Sequence, residues 1–170
     1  VVSHFRGRVE EWDVVNEPLS EDNIDYSSIQ KGMRKQMWFD AMGEDYIDVA
    51  FKAAHAADPT TKLYLNDFGI ENDGERWDAL LNLVKRLQER GVPIHGVGFE
   101  AHVYHEPADT INPLTLKKHI QILASLGIAS RVSEIDVLGD DPNFQAKQYS
   151  DVLNVCMSEP TCTSFGVWGI

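Results

Sequence analysis

The stretch Leu63–His102, LYLNDFGIENDGERWDALLNLVKRLQERGVPIHGVGFEAH, decides the fold class. It begins with the apolar run Leu63–Asn66, which is typical of a short buried strand. A helix follows, and its apolar side chains fall on one stripe: Trp77, Leu80, Leu81, Val84 and Leu87. We expect Asp73 to cap the start of this helix and Gly91 to end it. The run His95–His102 is again β-like, so the stretch predicts two parallel strands connected by a helix.

The same alternation continues on both sides of this unit. Further β-like runs are Val9–Asn16, Ser130–Val137 and Ser164–Trp168, and further helical runs are Ser28–Ala57, Asn112–Gly127 and Asn143–Cys156. Five strands alternating with four helices imply parallel strands with right-handed crossovers, in a doubly wound sheet or a (β/α) barrel. No glycine-rich phosphate loop follows the first strand, which disfavours a dinucleotide fold. Because a complete eight-stranded barrel needs about 250 residues, we expect the later part of one.

Composition narrows the classes of function. The 170 residues are 43% hydrophobic and 25% charged, as in ordinary globular proteins, and the formal net charge is -12. This acidity argues against nucleic-acid binding and against an anionic membrane surface, both of which need clustered Lys and Arg. No apolar run is long enough to span a bilayer. A neutral substrate fits the charge, although acidity that only aids solubility fits it equally well.

Polar or aromatic side chains occur where each predicted strand ends, which is where parallel α/β folds carry reactive groups. Two of these side chains are glutamates, Glu17 and Glu134. A glutamate at the tip of a buried strand is costly unless it has a partner or a function. A single one is more often exposed or ion-paired, but two together favour a site. Paired carboxylates in unequal environments cleave glycosidic bonds: one donates a proton and the other attacks the anomeric carbon.

Several motifs resemble one known family. Trp12–Pro18 (WDVVNEP) looks like the WDVVNE signature of family 10 glycoside hydrolases, the endo-β-1,4-xylanases with a (β/α)8 barrel of the TIM type. Gly98–His102 (GFEAH) is similar to the family's G-x-Q-x-H strand, and Ser133–Asp136 (SEID) to its T-E-x-D strand. Asn66-Asp67 and Val167–Gly169 resemble two further strands, so the likeness follows the whole chain in order.

The resemblance implies that residues 1–170 are a partial catalytic barrel, strands 4–8 with four helices, without the first three strands and the extreme C-terminus. It implies a secreted, retaining enzyme that hydrolyses internal β-1,4 bonds of xylan or xylo-oligosaccharides with no cofactor. The first and fifth strands would be open edges through which the chain could self-associate. The alternatives are a catalytically inert fragment of such an enzyme and a related barrel β-glycanase acting on cellulose or mannan.

The family's reactive groups carry over onto matching positions. Glu17 would be the general acid/base and Glu134 the nucleophile. His102 would hydrogen-bond Glu134 and keep it ionised, and Asp136 would lie behind His102.

The family's substrate contacts carry over in the same way. Asn16 would bind the sugar 2-hydroxyl, and Asn66 would support the nucleophile. Trp168 would form part of an apolar floor under the sugar, while Phe68, where the family usually has Tyr, would be an aromatic platform. Glu100 replaces the family's usual Gln, and this third carboxylate would raise neighbouring pKa values.

The two cysteines, Cys156 and Cys162, flank a turn-like segment. Their spacing alone leaves a disulfide and two free thiols equally open. The resemblance implies a disulfide that joins the last helix to the last strand, and with it an oxidising compartment. Glu100, His102 and His105 could suggest a metal, but His-x-x-His on a strand points its rings to opposite faces. We therefore expect no metal.

Overall fold

A computed structural model describes residues 1–20, 32–104 and 108–169. Its strands are β1 (Glu11–Asn16), β2 (Lys62–Asp67), β3 (Gly96–Phe99), β4 (His102–Val103), β5 (Ala129–Val137) and β6 (Cys162–Val167). A 3-10 helix, Val2–Phe5, comes first, and the helices are α1 (Met37–Met42), α2 (Asp45–Ala57), α3 (Glu75–Glu89), α4 (Pro113–Ser125) and α5 (Pro142–Ser158). The predicted alternation of strands and helices is confirmed. None of the helices described here has the length and apolar character that a membrane crossing requires.

The strands form a parallel sheet that follows the order of the chain. β1 pairs with β2, β2 with β3, β3 with β5 and β5 with β6, and β4 pairs with the later part of β5. A doubly wound sheet would reverse its strand order at a switch point. Consecutive order without reversal is instead the arrangement of a barrel wall.

The third predicted strand differs from the expectation, because it is interrupted. Phe99 pairs with Val132 in β3, and His102 pairs with Asp136 in β4. From the first pair to the second, the chain of β3 and β4 moves forward by three residues, whereas β5 moves forward by four. Ala101, between the two segments, has φ 60, a left-handed conformation that is uncommon outside glycine. The kink separates β3 from β4 and lets the chain pass over the buried Glu100.

The helix predicted over Ser28–Ala57 is also different. Residues 21–31 lie outside the described part, residues 34–36 are not helical, and Gly43 with φ 61 separates α1 from α2.

The sequence also predicted how α3 begins and ends. Gly91 has the expected left-handed conformation, φ 66, just after the helix. Asp73 does not cap its start, since Gly74 is the N-cap and the Asp73 carboxylate binds His119 and Lys118 instead.

The two faces of the central strands have different roles. The helix-facing side chains of β2 and β3 belong to the apolar core and are fully buried: Leu63, Leu65, Val97 and Phe99. On the other face Tyr64 lies beside Gly96, and Asn66 beside Gly98. A Cβ at either glycine would overlap the neighbouring side chain. Glycine is therefore needed for space on this face, where Asn66 reaches across towards β5.

The last helix and the last strand are covalently joined. Cys156 in α5 and Cys162 at the start of β6 form a disulfide, with their Cα atoms 5.2 Å apart. The predicted pairing is confirmed. Because Cys162 begins β6, the bridge lies at the end of the sheet opposite the strand tips that carry Glu17 and Glu134.

Candidate active site

A cleft of about 670 Å³ lies at the carboxyl ends of the strands. Its lining contains five of the residues that the sequence singles out: Glu17, Phe68, His102, Glu134 and Trp168. Asn66 and Glu100 are fully buried beneath it. The lining also includes Glu71, Tyr104 and Asp109, which sequence reasoning missed. Both predicted catalytic carboxylates therefore face one cavity.

Glu17 is held in the cleft by its backbone. It directly follows β1 with φ 48, a strained value for a residue other than glycine. Its N–H donates to the Asn66 carbonyl over 2.8 Å, which extends the pairing of β1 with β2 by one step. On the side chain, Oε2 lies 2.7 Å from Nη2 of Arg34. Backbone pairing thus turns the Glu17 carboxylate away from the sheet and into the cleft.

Glu134 is held by a side-chain amide. The Asn66 Nδ2 group lies 2.8 Å from Glu134 Oε1, 2.8 Å from Asn16 Oδ1 and 3.0 Å from Glu100 Oε1. Ser133 Oγ donates to the Asn66 Oδ1 atom over 2.7 Å, which fixes which end of the amide carries the hydrogens. The two N–H groups of the Asn66 amide are therefore shared among three acceptor oxygens. Asn66, predicted to support the nucleophile side, contacts Glu134 directly.

The electrostatic surroundings of Glu134 act in both directions. Burial raises the pKa of its carboxyl above the ordinary value, and the negative charge of Glu17 adds to this rise. The hydrogen bond from Asn66 and the nearby His102 ring oppose it. The Glu134 carboxyl is therefore harder to ionise than an isolated one, and Asn66 and His102 are the neighbours that favour its charged form.

His102 contacts three carboxylates. Its Nδ1 lies 2.6 Å from Asp136 Oδ1, in agreement with the expected position of Asp136 behind the ring. Its Nε2 lies 3.3 Å from Glu100 Oε2 and 3.7 Å from Glu134 Oε2. The ring is thus nearer to Glu100 than to Glu134, its predicted partner. Tyr104 stacks on the ring with centroids 5.2 Å apart and donates from its hydroxyl to Asp136 over 3.3 Å.

Asp67 and Arg76 form a buried ion pair under the cleft that the sequence did not reveal. Arg76 Nη2 lies 2.5 Å from Asp67 Oδ1. The guanidinium also donates to the carbonyls of Phe68 and Ser20, over 2.7 and 2.6 Å. Asp67 accepts from the Leu19 N–H over 3.2 Å. Burial outweighs Arg76 and raises the pKa of Asp67 to about 6. The pair ties the loop that carries Glu17 to the end of β2.

Two aromatic rings border the cleft as expected. The Arg76 guanidinium lies 4.0 Å from the centroid of the Phe68 ring and covers one of its faces. Trp168 is 56% exposed, and its ring meets His102 edge-on at 6.4 Å between centroids. An exposed indole beside a pair of carboxylates offers an apolar face to a ring-shaped substrate.

Glu100, His102 and Glu134 are the residues that come closest to a metal-binding arrangement within the described ranges. One ligand atom from each lies within 4.8 Å of the others. Hydrogen bonds with Asn66 and Asp136 already account for how these groups are held. His105, the other candidate ligand of the sequence, lies outside the described residues. The absence of a metal stays a prediction.

Comparison with known proteins decides the family. The family model of glycosyl hydrolase family 10 matches residues 1–170. The chain belongs to glycosyl hydrolase family 10. An endo-1,4-beta-xylanase of Agaricus bisporus is 36% identical over 174 residues, which cover 99% of this chain and 49% of that protein. The identification rests on whole-length similarity, in agreement with the motifs read from the sequence.

Solved family 10 structures share the fold. A thermostable mutant of a Cellvibrio japonicus xylanase superimposes with a TM-score of 0.85 at 33% identity, covering 100% of this chain and 57% of that chain. Xylanase 10B from Thermotoga petrophila, in complex with xylobiose, gives a TM-score of 0.84 at 31% identity, covering 99% and 50%. The chain thus spans about half the length of the family 10 proteins that it matches. The predicted barrel class is confirmed, as part of a TIM barrel.

Proposed function

We propose that this chain carries the catalytic carboxylates of a retaining endo-1,4-β-xylanase, with Glu17 as general acid/base and Glu134 as nucleophile. The observation that carries the proposal is that both glutamates line one cleft at the carboxyl edge of the sheet. Membership of family 10 supports it, since the relatives include endo-1,4-beta-xylanases.

The reaction has two displacements. Glu134 attacks the anomeric carbon while Glu17 gives its proton to the glycosidic oxygen, which leaves as an alcohol. Glu134 is then an ester of the sugar. Glu17, now ionised, takes a proton from water, whose oxygen attacks the same carbon and releases the Glu134 carboxylate. Two inversions leave the anomeric configuration unchanged.

Neighbouring residues would hold the sugar and the nucleophile. Asn16 accepts from Asn66 over 2.8 Å and is exposed, so its amide N–H groups are available to a sugar hydroxyl. The exposed Trp168 ring would stack under the sugar, and Phe68 would border the leaving-group side. His102, fixed by Asp136, has its Nε2 atom 3.7 Å from Glu134 Oε2 and would help to position that carboxylate.

The assay that tests this proposal is release of reducing sugar from xylan by the chain and by Glu134→Gln. We expect turnover by the unaltered chain and a loss of about a thousandfold or more in the variant, because the nucleophile is removed. Glu75→Gln, an exposed carboxylate at the start of α3, is the control and should keep the rate. A folded chain with no turnover would contradict the proposal and favour the inert fragment.

The substrate is proposed to be xylan rather than cellulose or mannan. The support is the xylobiose bound to the Thermotoga petrophila relative. Tryptophan fluorescence should change on adding xylobiose and not cellobiose, and Trp168→Phe should remove most of the change. Equal hydrolysis of xylan, carboxymethyl cellulose and mannan would overturn this choice.

We also propose that the chain acts outside the cytosol and can associate with itself. The disulfide supports an oxidising compartment. In the described part, β1 pairs only with β2 and β6 only with β5, so both edges of the sheet have free backbone groups. Immunodetection in the medium of the producing cells tests secretion. Light scattering across a concentration series tests association, and a constant monomer mass would exclude it.

A further inference from the structure

We propose that Glu100 keeps a proton at neutral pH and acts as an uncharged positioning residue beneath Glu134, much as a glutamine would. The inference deepens the proposed function, because it takes Glu134 as the nucleophile. It concerns the position where this chain departs from the glutamine of the family motif.

The burial of Glu100 disfavours a charge. Its side chain is 0% exposed, beneath the surface of the cleft. Oε1 accepts from Asn66 over 3.0 Å. Oε2 is buried and makes no hydrogen bond within the described ranges, although His102 Nε2 lies 3.3 Å from it. An ionised carboxylate that is shielded from water, with no hydrogen bond to one of its oxygens, is strongly unfavourable.

The charges around Glu100 are mostly negative. Glu134, Glu17, Asp67 and Glu71 all act on it and disfavour its ionised form. The cations near these groups have other partners: Arg76 pairs with Asp67, and Arg34 with Glu17. His102 has its Nδ1 on Asp136 and its Nε2 3.3 Å from Glu100 Oε2. Burial first, and then Glu134, raise the pKa of Glu100 to about 9.

Glu100 and Glu134 compete for the same proton, and the geometry assigns it to Glu100. Both carboxylates accept from the Asn66 amide, over 3.0 and 2.8 Å. Glu134 is 15% exposed, so water in the cleft can hydrate its charge, whereas Glu100 is sealed off. Two interacting carboxyl groups titrate as a pair, and protonation of one keeps the other ionised.

A proton on Oε2 would also give this oxygen a hydrogen to direct at His102. The protonated oxygen can donate to His102 Nε2, 3.3 Å away, while Oε1 goes on accepting from Asn66. His102 then carries its own hydrogen on Nδ1 and donates it to Asp136 over 2.6 Å. A protonated glutamate and a glutamine both offer one carbonyl oxygen and one donor. The consequence is an ionised Glu134 that remains able to attack.

The direct test is a carbon-13 NMR titration of the side-chain carboxyls in glutamate-labelled folded chain. We expect one carboxyl resonance to keep its protonated chemical shift at pH 7 and to titrate near pH 9, and Glu100→Gln to remove that resonance. Glu71→Gln identifies the signal of Glu71, a second buried glutamate, which accepts a hydrogen bond from the Ala101 N–H. If every glutamate carboxyl of the unaltered chain is ionised at pH 7, the proposal is overturned, whether or not the variants fold.

A second measurement tests the shared proton. Glu134→Gln removes the nearest negative charge, so the titration midpoint of Glu100 should fall by about one unit or more. The control Glu75→Gln should leave the midpoint unchanged. An unchanged midpoint in Glu134→Gln would contradict the competition between the two carboxylates. Neither titration uses xylan, so their failure can be told apart from failure of the proposed function.

Thermal stability gives an independent readout with a defined sign. A carboxyl with a raised pKa in the folded state contributes stability below its unfolded pKa and loses it as pH rises towards the folded value. Glu100→Gln removes this dependence. We expect the melting temperature of Glu100→Gln to rise relative to that of the unaltered chain as pH increases from 4.5 to 9. If the melting temperature of Glu100→Gln instead falls relative to that of the unaltered chain over this pH range, Glu100 acts as an anion.

Discussion

The sequence predicts a site residue at a strand tip when its side chain is of a type that is rare at the end of a buried strand. A glutamate ending a buried strand is conspicuous in a sequence, so Glu17 and Glu134 were found, and both line the cleft. Arg76 and Tyr104 were not found. An arginine in the first turn of a helix and a tyrosine after a strand are ordinary residues, and only folding brings them to Asp67 and His102.

The role of Glu17 can be separated from that of Glu134 by the choice of leaving group. Glu17→Ala should lose most of its activity on xylan but still form the intermediate from an activated aryl xyloside, because a good leaving group needs no proton. The measurement is the burst of phenol release compared with steady-state xylan hydrolysis. An equal loss on both substrates would contradict the acid/base role.

Arg76 should matter to stability in a pH-dependent way. Burial raises the pKa of Asp67 to about 6, so Asp67 contributes stability below its unfolded pKa and loses it as pH rises through 6. Arg76→Met leaves an unpaired buried charge at pH 8, at a cost of about 3 kcal/mol or more, and a smaller cost at pH 4.5. Chemical denaturation at the two pH values measures both. The double variant Arg76→Met/Asp67→Asn should recover part of the loss at pH 8.

Strands and helices were predictable from periodicity, and their interruptions were not. The alternation of apolar and polar residues located β2, and the apolar stripe located α3. At the break between β3 and β4, the Ala101 N–H donates to the Glu71 side-chain carboxylate over 2.8 Å, a contact between residues 30 apart in the chain. The break at Gly43 was visible only as a glycine inside a helical pattern, which many helices tolerate.

The register of β3 against β2 predicts that adding one methyl group at Gly98 lowers both stability and turnover. In Gly98→Ala the added Cβ would overlap Asn66 Oδ1, so the amide that holds Glu134 must move. We expect a loss of about 1–3 kcal/mol in the free energy of unfolding, together with reduced xylan turnover. Glu89→Ala, at an exposed position in the last turn of α3, is the control. Stability and turnover equal to those of the unaltered chain would show that Asn66 is not fixed by this contact.

On the scale of the whole molecule, the sheet is a segment of barrel wall with its strand order unreversed. The fold class followed from the sequence because each strand–helix pair is a local pattern and the motifs occur in order. The sequence could not fix how the carboxylates share their protons. That sharing depends on burial and on distances between strands: Asn66, His102 and Glu134, which surround Glu100, lie on three separate strands.

The disulfide should stabilise the end of the chain without altering the cleft. Cys156→Ser/Cys162→Ser should lower the free energy of unfolding by about 2 kcal/mol, the value for closing a short loop. Denaturation of the oxidised chain, with and without a reductant, measures this. The reductant should shift the unaltered chain and leave the double variant unmoved. A shift in both would mean that the reductant acts elsewhere.

The guanidinium of Arg76 also joins the two segments that follow β1 and β2. It binds the carbonyl of Ser20 on the loop after β1 and that of Phe68 on the loop after β2, so neither loop can detach without breaking bonds to the same side chain. We therefore expect residues 19–20 and 68–69 to open as one cooperative unit, with amide hydrogens that exchange with solvent together. One arginine would thereby couple the mobility of the segments that follow two neighbouring strands at the cleft.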